Sequence, residues 1–280
     1  MIIDGKKQSA ILREEIKKEI SELKKKINKS PNLTVILIGN FEPSQIYVKN
    51  KELISREVGI NSNVIRYPKE VKEHEIIEKI NELNNDKEVS GILVQLPLPR
   101  QINKEKIINA IHPSKDVDGF NPVHVGNLSS GYNAIVPCTP LGCLMLIKTV
   151  EKKLTGKHAV IIGRSNLNGK PMAQLLLKEN CSVTIVHSKT KNLKKECLRA
   201  DILIVAVGVA NLVREDMVKE DSIVIDVGIN KYGDKIVGDV NFDEVKNKVK
   251  AITPVPGGVG PMTIACLLKN TLDCFKAHLT

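Results

Sequence analysis

One stretch, residues 160–177, constrains the fold more than any other, because an apolar run meets a glycine-bearing turn and then an apolar-periodic segment. This order predicts a strand, a turn and a helix. Gly163 and Gly169 leave backbone N–H groups and the positive helix end where an anionic phosphate can sit. The usual G-x-G-x-x-G spacing is not kept, since Ser165 takes the middle place. A helix that merely starts near Pro171 therefore stays an alternative.

The next apolar run, residues 182–188, predicts the second strand of a βαβ unit, about 20 residues beyond the glycine turn. An NAD site usually carries an acidic residue there, which bonds the ribose 2′-hydroxyl. This strand ends instead in His187, Ser188 and Lys189, and the turn carries Arg164. Cationic and hydroxyl side chains suit a 2′-phosphate, so the predicted cofactor is NADP.

Two further β-branched runs, residues 201–208 and 222–228, each end in glycine. Apolar runs of this kind, buried on both faces, are what a doubly wound parallel sheet requires. A chain of 280 residues is better accommodated in two domains than around one core. The sequence thus predicts an α/β protein with a dinucleotide-binding domain and a second domain.

The cysteines show no C-x-x-C spacing and mostly stand in apolar runs, at Cys138, Cys143, Cys181, Cys197, Cys266 and Cys274. They are predicted to be reduced core thiols rather than disulfides or ligands, and no metal site is expected. No apolar run is long enough to span a membrane, and the first residues do not form a secretory signal. The expected location is the cytoplasm, without a membrane partner.

The formal net charge is +10, with lysines spread along the predicted helices. Solvated helix faces explain this charge, and attraction of polyanionic substrates is an alternative. Aromatic residues make up only 3% of the chain, so nucleic acid, which needs stacking side chains, is not an expected partner.

The first domain begins with an amphipathic helix marked by Ile11, Ile16, Ile20, Leu23 and Ile27. A strand over residues 33–38 follows, and a helix is predicted from Pro43 onwards. On that helix Ser44, Tyr47 and Lys51 are three and four residues apart, so their side chains share one face. An exposed lysine beside a half-buried tyrosine is the alternative to a functional pair.

A polar residue, Gln95, interrupts the apolar strand predicted over residues 91–97. Burying a glutamine is costly unless it is hydrogen-bonded. Because ligands bind at the carboxyl ends of strands in open α/β sheets, Lys51 and Gln95 are expected to meet over one cleft. A lysine partly desolvated there would have a lowered pKa and would be a candidate general acid/base.

Residues 111–122 show little apolar periodicity and are predicted to connect the domains. Asp116 and Asp118 in this stretch are either turn-formers or binding residues. A glycine-proline loop, residues 253–261, leads into a last helix predicted over 262–277. The apolar face of that helix is expected to pack back on the first domain.

Six motifs occur in order along nearly the whole chain: Tyr47-Val-Lys-Asn-Lys51, Val94-Gln-Leu-Pro97, Lys115-Asp-Val-Asp-Gly119, Pro137-Cys-Thr-Pro140, Gly163-Arg-Ser165 and Pro254-Val-Pro-Gly-Gly-Val-Gly-Pro261. The set resembles the bifunctional methylenetetrahydrofolate dehydrogenase/cyclohydrolase family. The resemblance implies two α/β domains flanking a cleft. An N-terminal three-layer substrate domain, residues 1–139 completed by 253–280, would adjoin a Rossmann-type NADP-binding domain, residues 140–252. It also implies a homodimer formed largely through the dinucleotide domain.

The same resemblance assigns roles to single residues. Lys51 would be the catalytic lysine, with Gln95 hydrogen-bonded to it, and Tyr47 would assist at the catalytic site and pack against the folate. Asp118 would bind the donor edge of the pterin. The other substrate-binding residues would be Ser44, Pro256, Gly257, Gly258, Val259, Gly260 and Pro261. The NADP site would be formed by Gly163, Arg164, Ser165, Ser188 and Ile229.

The implied activity is NADP-dependent oxidation of 5,10-methylenetetrahydrofolate, followed by hydrolysis of the methenyl product to 10-formyltetrahydrofolate. Hydride loss needs no base, because both flanking nitrogens delocalise the positive charge. Hydrolysis does need proton transfer, for which Lys51 is the candidate. A dehydrogenase without the hydrolase, or a nonenzymatic NADP-binding or nucleic-acid-binding protein, are the alternatives. The turn at Asn166, Leu167 and Asn168 differs from the branched residues usual in this family.

Overall fold

A computed structural model of the chain describes residues 1–279. These residues pack as two compact units, each built around its own parallel sheet, and the predicted two-domain α/β fold is confirmed. The three-stranded unit comprises residues 11–127, 133–135 and 267–279, and the five-stranded unit comprises residues 1–10, 128–132 and 136–266. The predicted domain boundaries, 1–139 with 253–280 and 140–252, stay predictions.

The three-stranded unit has the sheet order β2-β1-β3, with both pairs parallel. Its strands are β1 (Asn32–Ile38), β2 (Asn61–Tyr67) and β3 (Gly91–Val94). Its helical elements, two of which extend into the other unit, are α1 (Gly5–Ile27), α2 (Glu42–Val58), α3 (Glu73–Asn85), α4 (Lys104–Ala110) and α5 (Pro122–Ser129). Alternation along β1 directs Ile36 and Ile38 into a core cluster with apolar residues of α3 and α4.

Helix α2 has recognisable start and stop signals. Pro43 lies in its first turn, where a missing N–H costs nothing, because the first N–H groups of a helix have no partner within it. Gly59 ends the helix in the left-handed region, with φ of 89°, and its N–H donates to the carbonyl of Arg56. Between these ends Ser44, Val48 and Lys51 share the buried face.

Helix α1 buries a narrower face than its sequence predicts. Ile16 is 3% exposed, but Ile11 is 46% and Ile27 37% exposed. The helix is apolar at these outer positions without being packed there, which is common at protein surfaces.

The five-stranded unit has the sheet order β10-β7-β6-β4-β5, all parallel. Its strands are β4 (His158–Ile162), β5 (Ser182–Val186), β6 (Ile202–Val205), β7 (Ile223–Asp226) and β10 (Ala251–Ile252), and β8 (Asn230–Tyr232) pairs with β9 (Lys235–Val237) as a separate hairpin. Its helices are α6 (Cys138–Val150), α7 (Gly169–Lys178), α8 (Leu193–Cys197), α9 (Phe242–Val245) and the first part of α10 (Val259–Ala277). Strand β4 lies between β5 and β6, so the strand order reverses at β4, where Rossmann-type sheets bind dinucleotides.

The last helix starts at Val259, earlier than the predicted position 262. Pro261 is accommodated because it falls in the first turn, where no intrahelical partner is lost. From Leu267 onwards the helix belongs to the three-stranded unit, where Lys276 pairs with Glu19 of α1 at 2.7 Å. The prediction that it packs on the first domain is confirmed for this half.

Within residues 1–279 no helix is both long and apolar enough to cross a membrane. The six cysteines are buried free thiols. Burial raises the pKa of Cys197 to about 11 and that of Cys274 to about 12, which keeps both thiols protonated at neutral pH.

Two isoleucines of α1 give a matched stability test of this packing. Ile16→Ala is expected to lower the free energy of unfolding by about 2–5 kcal/mol, since it removes a buried side chain. Ile11→Ala, the same change on the exposed side of the helix, is expected to cost less than about 1 kcal/mol. Urea unfolding followed by circular dichroism measures both, and equal losses would contradict the packing of α1.

Candidate active site

The centre of the site in the three-stranded unit is a hydrogen bond between α2 and the end of β3. Lys51 is 6% exposed, and its Nζ donates to Oε1 of Gln95 at 3.0 Å. Gln95 is the first residue after β3, and its Nε2 donates to the carbonyl of Leu96 at 2.7 Å. Both ends of the Gln95 amide are therefore engaged, and its oxygen faces the lysine. The sequence pattern placed these two side chains together, and the structure does so too.

Ser44 and Tyr47 lie on the same face of α2 as Lys51. The Tyr47 ring is half-buried, and its centroid lies 5.0 Å from Nζ of Lys51, within range of a cation–π interaction. Ser44 is buried and donates to the Leu96 carbonyl at 3.5 Å, so that carbonyl accepts from both Ser44 and Gln95. The four predicted residues on α2 and after β3 thus form one polar cluster.

The residues of the run Lys115-Asp-Val-Asp-Gly119 have different structural roles. Lys115 is buried and donates to the carbonyls of Leu83 and Asp86 at the end of α3, a favourable place for a cation. Burial lowers the pKa of its ammonium group. Val117 is fully buried in the core. Gly119 turns the chain with φ of 69°.

Asp116 is a structural residue that holds this turn together. Its carboxylate accepts the backbone N–H groups of Asp118 at 3.2 Å, Gly119 at 3.1 Å and Asn121 at 2.7 Å. Burial raises the pKa of Asp116 to about 6, against the opposing effect of these donors. Of the two interpretations of the aspartates, turn formation therefore describes Asp116.

Asp118 lies at a pocket that Asp116 also lines, but the side chain of Asp118 is the more exposed of the two. It is half-buried and shares a pocket lining with Leu96, Leu98, Lys104 and Phe120. Leu96 also carries the carbonyl that accepts from Ser44 and Gln95, so one residue connects this pocket with the lysine cluster. Sequence reasoning missed a supporting residue from the last helix: buried Asn270 donates to the carbonyl of Val117 at 2.9 Å, next to Asp118. No local pattern reveals a partner so distant in the chain.

The glycine turn of the five-stranded unit is shaped for close backbone approach. Gly163 follows β4 with φ of 121°, and a Cβ there would overlap the carbonyl of Ala206. A Cβ on Gly169 would overlap the carbonyl of Gly163. The N–H of Asn168 donates to the Ser165 hydroxyl at 3.1 Å, and α7 begins at the next residue. The longer spacing between the glycines therefore still leads directly into a helix N-terminus, as phosphate binding requires.

The other predicted cofactor residues lie at the same edge of the sheet as this turn. Arg164 and Ser165 in the turn, Ser188 just beyond β5 and Ile229 just beyond β7 are all exposed. A guanidinium and a hydroxyl in the turn before a helix N-terminus, with a second hydroxyl at the end of the neighbouring strand, fit the anionic groups of NADP. An exposed apolar side chain at Ile229 fits a flat ring.

The glycine-proline loop is anchored to the start of the chain within the five-stranded unit. The N–H of Lys6 donates to the carbonyl of Gly257 at 3.2 Å, and a Cβ on Gly5 would overlap the carbonyl of Gly258. Pro256 is exposed, Gly257, Gly260 and Pro261 are half-buried, and Gly258 and Val259 are buried. Val259, Gly260 and Pro261 belong to α10 and not to a loop, which corrects the predicted extent of this segment. Their substrate contacts stay predictions.

Comparison with known proteins links this geometry to one family. Residues 3–118 match the catalytic domain of the tetrahydrofolate dehydrogenase/cyclohydrolase family, and residues 137–279 match its NAD(P)-binding domain. A relative from Pelagibacter ubique, the bifunctional protein FolD, is 66% identical over 99% of this chain and 98% of its own length.

Solved structures show the same likeness. The bifunctional FolD dehydrogenase/cyclohydrolase from Campylobacter jejuni superposes with a TM-score of 0.97 at 50% identity, covering 99% of both chains. The Trypanosoma brucei dehydrogenase-cyclohydrolase, solved with NADP and an inhibitor, superposes with a TM-score of 0.96 at 35% identity, covering 100% of this chain and 98% of its own.

The raised pKa of Asp116 predicts how stability depends on pH. An aspartate in an unfolded chain titrates near about 3.9, so between about pH 4 and pH 6 folded Asp116 keeps a proton that the unfolded chain has lost. Its contribution to the free energy of unfolding is therefore full below about pH 4 and is lost as pH rises to about 6. Wild type should lose about 1–3 kcal/mol relative to Asp116→Asn between pH 4.5 and pH 7.

Urea unfolding at the two pH values measures this difference. Glu78→Gln, which neutralises an exposed carboxyl in the same unit, is the control and should differ from wild type by a constant amount. A constant difference for Asp116→Asn as well would mean that Asp116 is already ionised at pH 4.5.

Proposed function

The chain belongs to the tetrahydrofolate dehydrogenase/cyclohydrolase family, and we propose from this premise that it is a bifunctional enzyme of one-carbon folate metabolism. It oxidises 5,10-methylenetetrahydrofolate with NADP⁺ and then hydrolyses the methenyl product to 10-formyltetrahydrofolate. The observation that carries the proposal is the hydrogen bond between Lys51 and Gln95, because the hydrolytic step needs a positioned acid/base.

The dehydrogenase step depends on the five-stranded unit. When bound, NADP⁺ supplies the hydride acceptor for the one-carbon bridge of the substrate. Gly163 and Gly169 allow the pyrophosphate to approach the backbone at the start of α7. Arg164 and Ser188 hold the 2′-phosphate and so favour NADP over NAD. The chain acts here by orientation, since the substrate nitrogens themselves stabilise the cation that remains.

The cyclohydrolase step depends on Lys51. Its Nζ donates to Gln95 in either protonation state, so this hydrogen bond does not use the lone pair of the neutral amine. The neutral amine can take a proton from the attacking water, and the ammonium can return a proton to the leaving ring nitrogen. Gln95 fixes the direction of Nζ, and the Tyr47 ring stabilises the charged state.

Asp118 is the proposed anchor for the pterin. A carboxylate can accept from an amino group and a neighbouring ring N–H at once, which fixes the ring orientation. The loop that carries Asp118 is held by Asp116 and Asn270, so the carboxylate is presented on a fixed backbone. Ser44 and Tyr47 are proposed to complete the folate site of the three-stranded unit. Residues 256–261, in the five-stranded unit, are also proposed to contact the substrate.

A cytoplasmic location and a homodimer are further parts of the proposal. Six buried free thiols are typical of a reducing compartment. Exposed apolar side chains in the five-stranded unit support an interface between copies there: Ile185 on the edge strand β5, and Tyr232 and Ile236 on the β8–β9 hairpin.

The direct test supplies the purified chain with 5,10-methylenetetrahydrofolate and NADP⁺ and follows NADPH and the methenyl species separately. NADPH is expected to form while the methenyl species stays low and 10-formyltetrahydrofolate accumulates, with NAD⁺ a much poorer cofactor. If NADPH and the methenyl species rise together, and the methenyl species is hydrolysed only at the uncatalysed rate, the cyclohydrolase assignment fails. If neither cofactor is reduced, the whole proposal fails.

Lys51→Met tests the role of the lysine. The substitution keeps the length of the side chain but removes the amine, so the cyclohydrolase rate should fall about 10²–10⁴-fold. The dehydrogenase should lose less, because hydride transfer needs no base. Lys49→Met, an exposed lysine on the same helix, is the matched control and should leave both rates near wild type. An unchanged cyclohydrolase rate in Lys51→Met would exclude the proposed acid/base role.

A further inference from the structure

Two aspartates outside every predicted site are buried together in the five-stranded unit. Asp226 is the last residue of β7 and is 3% exposed, and Asp239 follows β9 and is 0% exposed. Carboxylates this buried are rare unless they are paired or hydrogen-bonded. Neither aspartate forms an ion pair among the described residues. Hydrogen bonds must therefore stabilise both buried carboxylates.

Asp239 binds the loops that follow two neighbouring strands. Its Oδ2 accepts the backbone N–H of Val207 at 2.7 Å and of Gly208 at 2.9 Å, in the loop after β6. Its Oδ1 accepts from the side-chain amide of Asn230 at 2.8 Å, just beyond β7. One carboxylate therefore joins the loop after β6 to the segment after β7.

Asp226 fixes Asp239 and the turn after its own strand. Its Oδ1 accepts the N–H groups of Gly228 at 3.0 Å and Asp239 at 2.9 Å, and its Oδ2 accepts the N–H of Val240 at 2.9 Å. All these donors are N–H groups, which cannot accept a hydrogen bond. Burial, together with the charge of Asp239, raises the pKa of Asp226 to about 6 against the effect of its donors.

Two glycines make room for these carboxylates. A Cβ on Gly228 would overlap the carboxylate of Asp239, and a Cβ on Gly238 would overlap that of Asp226. Neither glycine has a positive φ, so the requirement for glycine here is one of space and not of backbone conformation.

The two loops held in this way border the predicted cofactor residues. Ala206, immediately before Val207, carries the carbonyl against which Gly163 packs. Ile229, a predicted cofactor residue, lies between Gly228 and Asn230, both of which are hydrogen-bonded to the aspartates. Each loop is thus fixed at a residue adjacent to the dinucleotide site.

We propose that Asp226 and Asp239 are positioning residues for dinucleotide binding: they hold the loops after β6 and β7 at the spacing that NADP requires. The proposal rests on the proposed function, which assigns the dinucleotide to this edge of the sheet. The aspartates touch no reacting atom, and they act through Val207, Gly208, Gly228 and Asn230.

The hydrogen-bond geometry ranks two conservative substitutions. In Asp226→Asn, either orientation of the amide places an NH₂ group against a backbone N–H, because both carboxylate oxygens accept from the backbone. In Asp239→Asn, the oxygen can keep Val207 and Gly208 while the NH₂ faces Asn230, which can turn its own amide over and accept. Asp226→Asn should therefore be the more damaging change.

The test uses both activities of the full-length chain, together with calorimetric titration of NADP⁺. Asp226→Asn is expected to raise the Kd and the KM for NADP⁺ about tenfold or more, because one buried hydrogen bond is replaced by a repulsive contact between two N–H donors. Asp239→Asn should raise them less. The cyclohydrolase rate, assayed on the methenyl substrate without NADP⁺, should stay within about twofold of wild type, because no general acid/base is altered. Asp234→Asn, an exposed carboxyl in the turn of the β8–β9 hairpin, is the control.

Four outcomes would overturn the proposal, change the variant that is tested, or refute the proposed function. Unchanged NADP⁺ affinity in Asp226→Asn, or a parallel loss of both activities, would overturn it, since a purely structural role lowers both. If Asp226→Asn does not fold, Asn230→Ala is judged by the same criteria, because it removes only the link between Asp239 and the segment after β7. Wild type that binds NADP⁺ without turnover would refute the proposed function, and the titrations would still test the positioning role.

Discussion

A polar side chain at the end of a buried parallel strand needs hydrogen-bond partners, and this requirement shapes both units. Gln95 follows β3 and bonds Lys51 and the Leu96 carbonyl. Asp226 ends β7 and bonds three backbone N–H groups. Leaving such a group unpaired costs about 1–3 kcal/mol. Since ligands bind at this edge of an open sheet, the partners that satisfy the buried group also fix the ligand-binding segments.

Local patterns in the sequence were sufficient for most of the fold and for half of the site. Apolar runs identified the strands, and the spacing of Tyr47 and Lys51 placed both on one face of α2. The polar interruption at Gln95 predicted a partner, which proved to be Lys51. Each of these inferences needs only the periodicity of one element and the rule that parallel strands align their carboxyl ends.

The remaining features depend on contacts between distant residues, which periodicity does not reveal. Asn270 supports the turn before Asp118 across more than half of the chain. The two aspartates of residues 115–119 look equivalent in sequence, but Asp116 is buried by the turn that it closes, while Asp118 is half-buried beside the same pocket. The start of α10 was misplaced because glycine and proline indicate a loop unless they fall in a first helical turn.

Asp116 and Asp226 each fix a glycine-containing loop by accepting backbone N–H groups, one in each unit. Loops that approach a ligand closely contain glycine, and glycine gives the backbone freedom that the bound state must remove. A buried carboxylate restricts the backbone of such a loop, because its two oxygens accept hydrogen bonds from several N–H groups at once. An asparagine in the same place has only one acceptor oxygen, and its NH₂ group would face backbone N–H groups that are themselves donors. Burial of the charge opposes folding, as the pKa values of about 6 at both aspartates indicate, so the arrangement gives up some stability for a fixed ligand-binding backbone.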